Sequence, residues 1–418
     1  MNFLLISLGS RGDINPFISL ALALKKRGHN ATIITSEVYE KLITDLGLSF
    51  ISCGSAEEYY EVIRHPDLYD PKKVFFLFEK IVLGSMPLLY RILAGFDPKD
   101  TTLVATSLML GARMAHEKYE FPLITVCLQP QVFWSAEKPS VFPTGSSALQ
   151  RLPFFLRKIF CVLIDRYLVD RTLSPQVNQF RSTLGLPKIH HILSRWSYSP
   201  QKIIGCFPDW FAQPAADWPA NLELTGFVHY DENPDELLAP EILNFLAAGE
   251  APLVFTYGTF VTQGDHFFKT SIEAARKLGR RCLILTQHPE QLPSLNAKNE
   301  MLVSYVPLKK LLPHAAAIVH HGGIGTISQA LVAALPQLIV PMSYDQPDNA
   351  FRLEKLGVSL TIPPKKYSLD RAARTLQKLL DSREIKSQCL HYSKKINFHQ
   401  AEQQLCKAIE KLSEEKFQ

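Results

Sequence analysis

Short apolar runs of four to seven residues alternate along the chain with stretches whose apolar positions recur every three or four residues. That alternation is the pattern of parallel strands buried on both faces and joined by amphipathic crossover helices. FLLISL (3–8) predicts the first strand, followed by a helix over 16–27 with Pro16 in its first turn and Gly28 at its end. ATIIT (31–35) is the next strand, and others are expected at 49–53, 102–107, 122–128 and 202–206. The second half repeats the pattern. Strands are expected at 252–258, 281–286, 303–306, 317–321, 337–341 and 358–362, with a helix over 267–278. Between the halves, HYDENPDELLAPE (229–241) is acidic, contains two prolines and reads as a linker.

The expected fold class is therefore α/β, with two doubly wound Rossmann-like domains facing across a cleft. An amino-terminal domain is expected over 1–230, a linker over 231–241 and a carboxy-terminal domain over 242–390. Helices over 391–418 close the chain and can pack back on the first domain. Segments 71–95 and 151–173 interrupt the pattern, being rich in Phe, Leu and Ile with interspersed Lys and Arg. They read either as amphipathic helices packed on the first domain or as a greasy acceptor channel or basic membrane-touching face.

Composition narrows the function classes. The 418 residues suit two domains, and 46% apolar with 20% charged residues suits a folded globular chain. A net charge of +5 fits an anionic ligand or an acidic membrane surface, but the long basic runs of a nucleic-acid binder are missing. The seven cysteines are scattered and never form CxxC, which predicts buried free thiols and a reducing compartment. The start MNFLLISLGSRGD reads as a strand rather than a signal peptide, and no stretch reads as a continuous apolar run of the roughly 18 residues that a bilayer span needs. The expected location is cytoplasmic, with peripheral contact at the inner membrane surface as the alternative.

The most informative stretch is AAAIVHHGGIGTISQALVAALPQLIVPMSYDQPDNAFRLEKLG, residues 315–357. A strand ends at His320 and His321, glycines follow at 322, 323 and 325, then Thr326, and a helix begins near Ile327. Glycines at a strand–helix junction let backbone N–H groups approach a ligand, and a helix N-terminus favours a phosphate or diphosphate. His320 can add a ring N–H, and Thr326 a hydroxyl. The alternative is a turn that needs positive φ angles and binds nothing.

HHGGIGT, the helix after it, a strand ending in proline and DQPDNAFRLEKLG together resemble the donor-binding signature of family 1 glycosyltransferases of the GT-B fold. That group includes sterol, antibiotic and plant-metabolite enzymes. The resemblance implies a dTDP- or UDP-sugar as donor substrate and no further cofactor. It implies that His320 contacts the diphosphate, that Gly322, Gly323, Gly325 and Thr326 cradle it, and that Asp345 and Gln346 bind hydroxyls of the sugar. For that last pair the alternative is a capping turn before Pro347. Thr259, after the strand over 252–258, matches a phosphate-facing turn of the family, and Val306 matches the position whose backbone meets the nucleobase. Ala334–Leu335 departs from the family's glycine and small apolar residue, which is expected to alter packing and leave the chemistry alone.

Near the amino terminus, LGSRGDINP places Gly9 to Asp13 between the first strand and first helix. The glycine spacing is not GxGxxG, which argues against a dinucleotide-dependent dehydrogenase. The segment resembles the first loop of bacterial family 1 enzymes and sterol glucosyltransferases, where many members carry a histidine general base at the aspartate position. Asp13 would take that role here; the alternative is that it caps the helix. Ser10 and Arg11 would reach the diphosphate. No DxD-like carboxylate cluster appears, so no metal is expected.

Further stretches, among them DLYDPKKVF (67–75) and LGARMAHEKYEFPLI (110–124), are similar to the rhamnosyltransferases of rhamnolipid synthesis. That likeness implies dTDP-rhamnose as donor and a hydroxy-fatty-acid lipid as acceptor. The expected function is an inverting, metal-independent transfer of a hexose or deoxyhexose, rhamnose or glucose, to a hydroxyl of a lipid-like or other apolar acceptor. The alternatives are an epimerase or hydrolase on the same fold, or a non-catalytic sugar-nucleotide-binding partner of another transferase.

Overall fold

Strand β1 (Asn2–Ile6) is buried at four of its five positions, and its side chains divide between two faces. Phe3 and Leu5 pack with Ile14, Phe17 and Leu24 of the helix Arg11–Lys26. Leu4 and Ile6 pack on the other face with Leu89 and Leu93 of the helix Val74–Leu93 and with Met114 of the helix Leu110–Tyr119. A strand buried on both sides belongs at the centre of a parallel sheet.

The computed structural model describes residues 1–70, 73–142, 147–232, 236–258, 261 and 263–417. The chain divides into two units: Met1–Ser140 with Ser146–Tyr230 and Asn397–Gln418, and Val141–Gly145 with Asp231–Ile396.

The first unit holds β1, β2 (Asn30–Thr35), β3 (Ser49–Ser52), β4 (Thr101–Thr106), β5 (Leu123–Cys127), β6 (Lys202–Gly205) and β7 (Leu222–Leu224). They form one sheet in the order β3-β2-β1-β4-β5-β6-β7, each pair parallel. The edge strand β7 is only three residues long with none fully buried, too short for a hydropathy signal.

The first helix starts at Arg11, five residues before the expected 16. Ser10 and Asp13 form a reciprocal capping box that opens the helix ahead of Pro16, so proline sits in the second turn at the loss of one ladder bond.

The helix Phe398–Phe417 also belongs to this unit. Its Leu405, Cys406 and Ile409 enter the same core as Phe17 and Leu24. Ser19 Oγ donates to Glu402 Oε2 at 2.7 Å, and Arg27 Nε to Glu410 Oε1 at 2.6 Å. The Arg27 hydrogen bond holds the Glu410 carboxyl below its usual range.

The second unit holds β8 (Leu253–Thr256), β9 (Cys282–Leu285), β10 (Glu300–Val303), β11 (Ala317–His320), β12 (Gln337–Ile339) and β13 (Ser359–Thr361). Their order is β10-β9-β8-β11-β12-β13, again all parallel, the same winding as the first six strands of the other unit. The strand expected at 303–306 lies at Glu300–Val303 instead. It begins with a buried glutamate whose carboxylate accepts two hydrogen bonds from Arg276, a charge that hides the strand from an apolar pattern. Val306 lies beyond the strand with its side chain in the core.

The two Phe-rich segments differ. Val82, Met86, Leu89 and Leu93 of the first are buried on the sheet, whereas the helix Phe154–Ile164 of the second has no fully buried residue. The helix Pro240–Ala247 begins within the segment expected as linker. All seven cysteines are free, and six are buried.

Candidate active site

In each unit the strand order reverses at the centre, between β1 and β4 and between β8 and β11. Ligands of doubly wound sheets bind outside the carboxyl ends of strands at such a reversal. In the first unit the loop after β1 emerges at this reversal, and in the second the loops after β8 and β11 do.

The loop after β11 leads into the helix Ile324–Val332, whose N-cap is Gly323 with no side-chain cap. The first N–H groups of a helix have no partner within it, so those of Ile324, Gly325 and Thr326 point past its end. Gly322 has φ 97°, and a Cβ there would lie 2.9 Å from Ile339 Cγ2, so only glycine fits. Gly325 is exposed, and a Cβ there would meet nothing within 4 Å. Thr326 is half-buried in the first turn.

The two histidines play different parts. His320 is fully buried. Its Nδ1 accepts the Gly322 N–H at 3.1 Å, so Nε2 carries the proton and donates to Gln337 Oε1 at 3.0 Å. Burial lowers its pKa to about 3. The expected bond from His320 to a phosphoryl oxygen is not available in this arrangement: both nitrogens are committed to shaping the loop from beneath.

His321 is half-buried, and its Nδ1 is a buried atom with no hydrogen-bond partner among the described residues. Its ring sits between two glycines. A Cβ on Gly258 would stand 3.3 Å from His321 Cε1, and one on Gly323 would stand 2.5 Å from Nε2. Burial lowers its pKa to about 4, so the ring is neutral near pH 7.

Asp345 and Gln346 open the helix Gln346–Lys355, with Asp345 as N-cap residue. Asn349 Nδ2 donates to Asp345 Oδ2 at 2.6 Å and to Gly322 O at 3.0 Å, tying this helix to the glycine loop. Gln346 is buried and turned back, its Oε1 accepting the N–H groups of Met342 at 2.8 Å and Ser343 at 3.2 Å. Asp345 occupies the N-cap position without a side-chain capping hydrogen bond. Asp348 is also buried and accepts from Val141 N at 2.9 Å and Arg352 Nε at 2.7 Å.

In the other unit, Ser10 is the N-cap of the first helix. Asp13 Oδ2 accepts from Ser10 N at 2.8 Å and Ser10 Oγ at 3.0 Å. Burial raises the Asp13 carboxyl above its usual range, against the opposing pull of those two bonds. Gly9, at φ 138°, makes the space: a Cβ there would come within 2.4 Å of Asp13 Oδ2. Tyr39 Oη donates to Gly9 O at 3.1 Å and shares a 2.8 Å hydrogen bond with Tyr59 Oη. Arg11 and Asp13 both act on these tyrosines electrostatically.

The chain matches two family models, one near each end. Residues 3–135 match the glycosyltransferase family 28 N-terminal domain, and residues 281–410 match the C-terminal domain of erythromycin biosynthesis protein CIII-like proteins. An O-mycaminosyltylonolide 6-deoxyallosyltransferase from Streptomyces fradiae is 27% identical over 379 residues, covering 86% of this chain and 85% of that one. A dTDP-epi-vancosaminyltransferase from Amycolatopsis orientalis is 25% identical, covering 91% of this chain and 90% of its own. Among solved structures, the glycotransferase of kitacinnamycin superposes with a TM-score of 0.75 at 18% identity, over 98% of both chains. The chain belongs to the GT-B glycosyltransferases.

In this glycosyltransferase the structure brings His320, Gly322, Gly323, Gly325, Thr326, Asp345 and Gln346 together around one loop. Ser10, Arg11 and Asp13 gather at the start of the first helix of the other unit. Thr259 lies outside the described residues. Sequence reasoning missed Asn349, Gln337 and Asp348, each of which has a partner between 17 and 207 residues away, and it gave His321 no role of its own. Strand alternation was the available signal: neighbouring residues point to opposite faces, so only one of two adjacent histidines can face the core. Among the described residues no three His, Cys, Asp or Glu side chains gather to hold a metal ion.

Proposed function

We propose that this transferase moves a hexose or deoxyhexose, such as rhamnose or glucose, from a dTDP- or UDP-sugar to a hydroxyl of an apolar acceptor. The transfer inverts the anomeric centre and uses no metal. One relative carries dTDP in its name and another a 6-deoxy sugar, which favours dTDP and a deoxyhexose here.

One observation carries the donor side: an uncapped helix N-terminus whose amides adjoin an imidazole with a buried, unpartnered nitrogen. Buried polar atoms are satisfied in native complexes, and a diphosphate oxygen is the group that an N-terminal amide cluster and a ring N–H would jointly satisfy. The diphosphate then rests on the N–H groups of Ile324, Gly325 and Thr326, with His321 rather than His320 as the imidazole contact. Asp345, held by Asn349, binds a sugar hydroxyl, with Gln346 as backing. Thr259 and Val306 N–H complete the phosphate and base contacts, and Ser10 and Arg11 add to the phosphate side.

On the acceptor side, Asp13 Oδ2 is held by Ser10, which leaves Oδ1 to take the hydroxyl proton. The acceptor oxygen forms a bond to the anomeric carbon as the bond to the diphosphate oxygen breaks. The departing charge spreads over amides fixed beforehand. A carboxyl raised by burial is a stronger base than an exposed one, which suits this step.

Titration calorimetry with dTDP and UDP, followed by a mass-spectrometric screen of hydroxy-fatty-acid and sterol acceptors, tests the reading. Binding of neither nucleotide would remove the donor site. Asp13→Asn is expected to lower turnover by about a hundred-fold or more with donor affinity within a factor of about two. The wild-type kcat/KM is expected to fall on acidification, with a midpoint above the ordinary aspartate range. Unchanged turnover in Asp13→Asn would leave Asp13 as a helix cap alone.

A further inference from the structure

The helix Phe154–Ile164 is seated in reverse of an ordinary surface helix. Only Arg157, Cys161 and Ile164 are even half-buried, a narrow stripe at i, i+4 and i+7. Arg157 Nη1 donates to Glu137 O at 2.9 Å, and Cys161 Sγ lies 3.9 Å from Ser135 O. The outward face is apolar: Phe155 is 61% exposed, Ile159 52%, Val162 50% and Leu163 47%. Phe154, Phe160, Tyr167 and Leu168 extend it. Amphipathic helices normally bury their apolar stripe, and contiguous exposed patches of this kind mark an interaction surface.

The exposed charges within residues 151–171 have one sign. Arg151, Lys158, Arg166 and Arg171 are exposed. The two acids of the same stretch point inward. Asp165 Oδ2 accepts from His191 Nδ1 at 2.6 Å and Ser194 Oγ at 2.7 Å, and Asp170 accepts from the backbone of His191 and Ile192. An apolar stripe whose own stretch exposes Arg151, Lys158, Arg166 and Arg171 and no acid complements an anionic lipid surface. It opposes pairing with a second copy, which would bring like charges together across a two-fold axis. An eleven-residue helix is about 16 Å long, roughly half the hydrocarbon thickness, so it can lie in a membrane surface but not cross one.

We propose that this face docks on an anionic phospholipid bilayer, with Phe155, Ile159, Val162 and Leu163 among the acyl chains and Lys158 and Arg166 at headgroup phosphates. The basic side chains reach outward past their apolar stems while the helix axis stays in the headgroup plane. The inference is independent of the transfer reaction.

Co-sedimentation of the full chain with vesicles of equal phosphatidylglycerol and phosphatidylcholine, against pure phosphatidylcholine, tests it at low and high salt. Binding to the anionic vesicles alone is expected, and it should weaken at high salt. Lys158→Gln with Arg166→Gln should reduce affinity by roughly twenty-five-fold, at about five-fold per charge. The triple variant Phe155→Ser, Ile159→Ser, Leu163→Ser should abolish binding with its thermal midpoint unchanged, since these side chains are exposed. No sedimentation with anionic vesicles, or equal sedimentation of the triple variant, overturns the proposal. So does a dimer in analytical ultracentrifugation that the triple variant dissolves, which would assign the face to a second copy.

Discussion

Adjacent histidines at the end of β11 divide the labour of the donor loop. His320 faces inward and uses both ring nitrogens, whereas His321 keeps one without a partner. If the donor reading holds, His321→Ala should weaken donor affinity by about ten- to a hundred-fold, the worth of one hydrogen bond to a charged group, with little loss of stability. His320→Ala should instead lower the thermal midpoint, because it empties a fully buried position and leaves Gln337 and the Gly322 amide unpaired. Calorimetry and thermal melting on the two variants separate these outcomes. Spacing alone made the motif legible but not the orientation of its side chains. The same limit applies at Ala334, noted in the sequence only as a departure in packing. Its φ is 52°, a left-handed conformation that costs a non-glycine residue about 1 kcal/mol or more. Ala334→Gly should therefore raise unfolding free energy by about 1 kcal/mol in urea denaturation.

At the scale of elements, apolar periodicity located nearly every strand, because parallel strands buried on both faces are continuous apolar runs. It failed where a charge or brevity masked the run, as at Glu300 in β10 and in three-residue β7. The first helix was legible in its apolar face but not in its start, which the Ser10–Asp13 box decides. The helix Phe398–Phe417, within the closing segment over 391–418, supplies Leu405 and Ile409 to the core of the first unit. Ile409 is fully buried, so Ile409→Ala should cost about 2–5 kcal/mol, as large-to-small core changes do. The urea midpoint of the full chain measures it. An effect below about 1 kcal/mol would mean that this helix is only loosely attached.

At the scale of the whole molecule, the buried histidines make stability depend on pH. Their folded pKa values, about 3 for His320 and about 4 for His321, lie below the ordinary 6.5, so the unfolded chain binds more protons across that window. Their contribution is complete above about pH 6.5 and is lost as pH falls toward 4, at about 1.4 kcal/mol per pH unit for each ring. Asp13 has the opposite sign, since its raised carboxyl favours the fold at low pH and loses that advantage as pH rises through its folded value. The urea midpoint should fall steeply between about pH 6.5 and 4.5, and His321→Asn should flatten that slope.

Glu402, Leu405, Ile409 and Glu410, the residues that cover the face of the first helix, sit almost four hundred positions after it in the chain. A ribosome emits Ile14, Phe17 and Leu24 long before it emits their cover. At roughly 5–20 residues per second, the wait is about 20 to 80 seconds. Throughout that interval the second unit can complete its own sheet, while the first holds an oily flank bare to passing chaperones. Birth order and assembly order are thus inverted: what is made first is finished last.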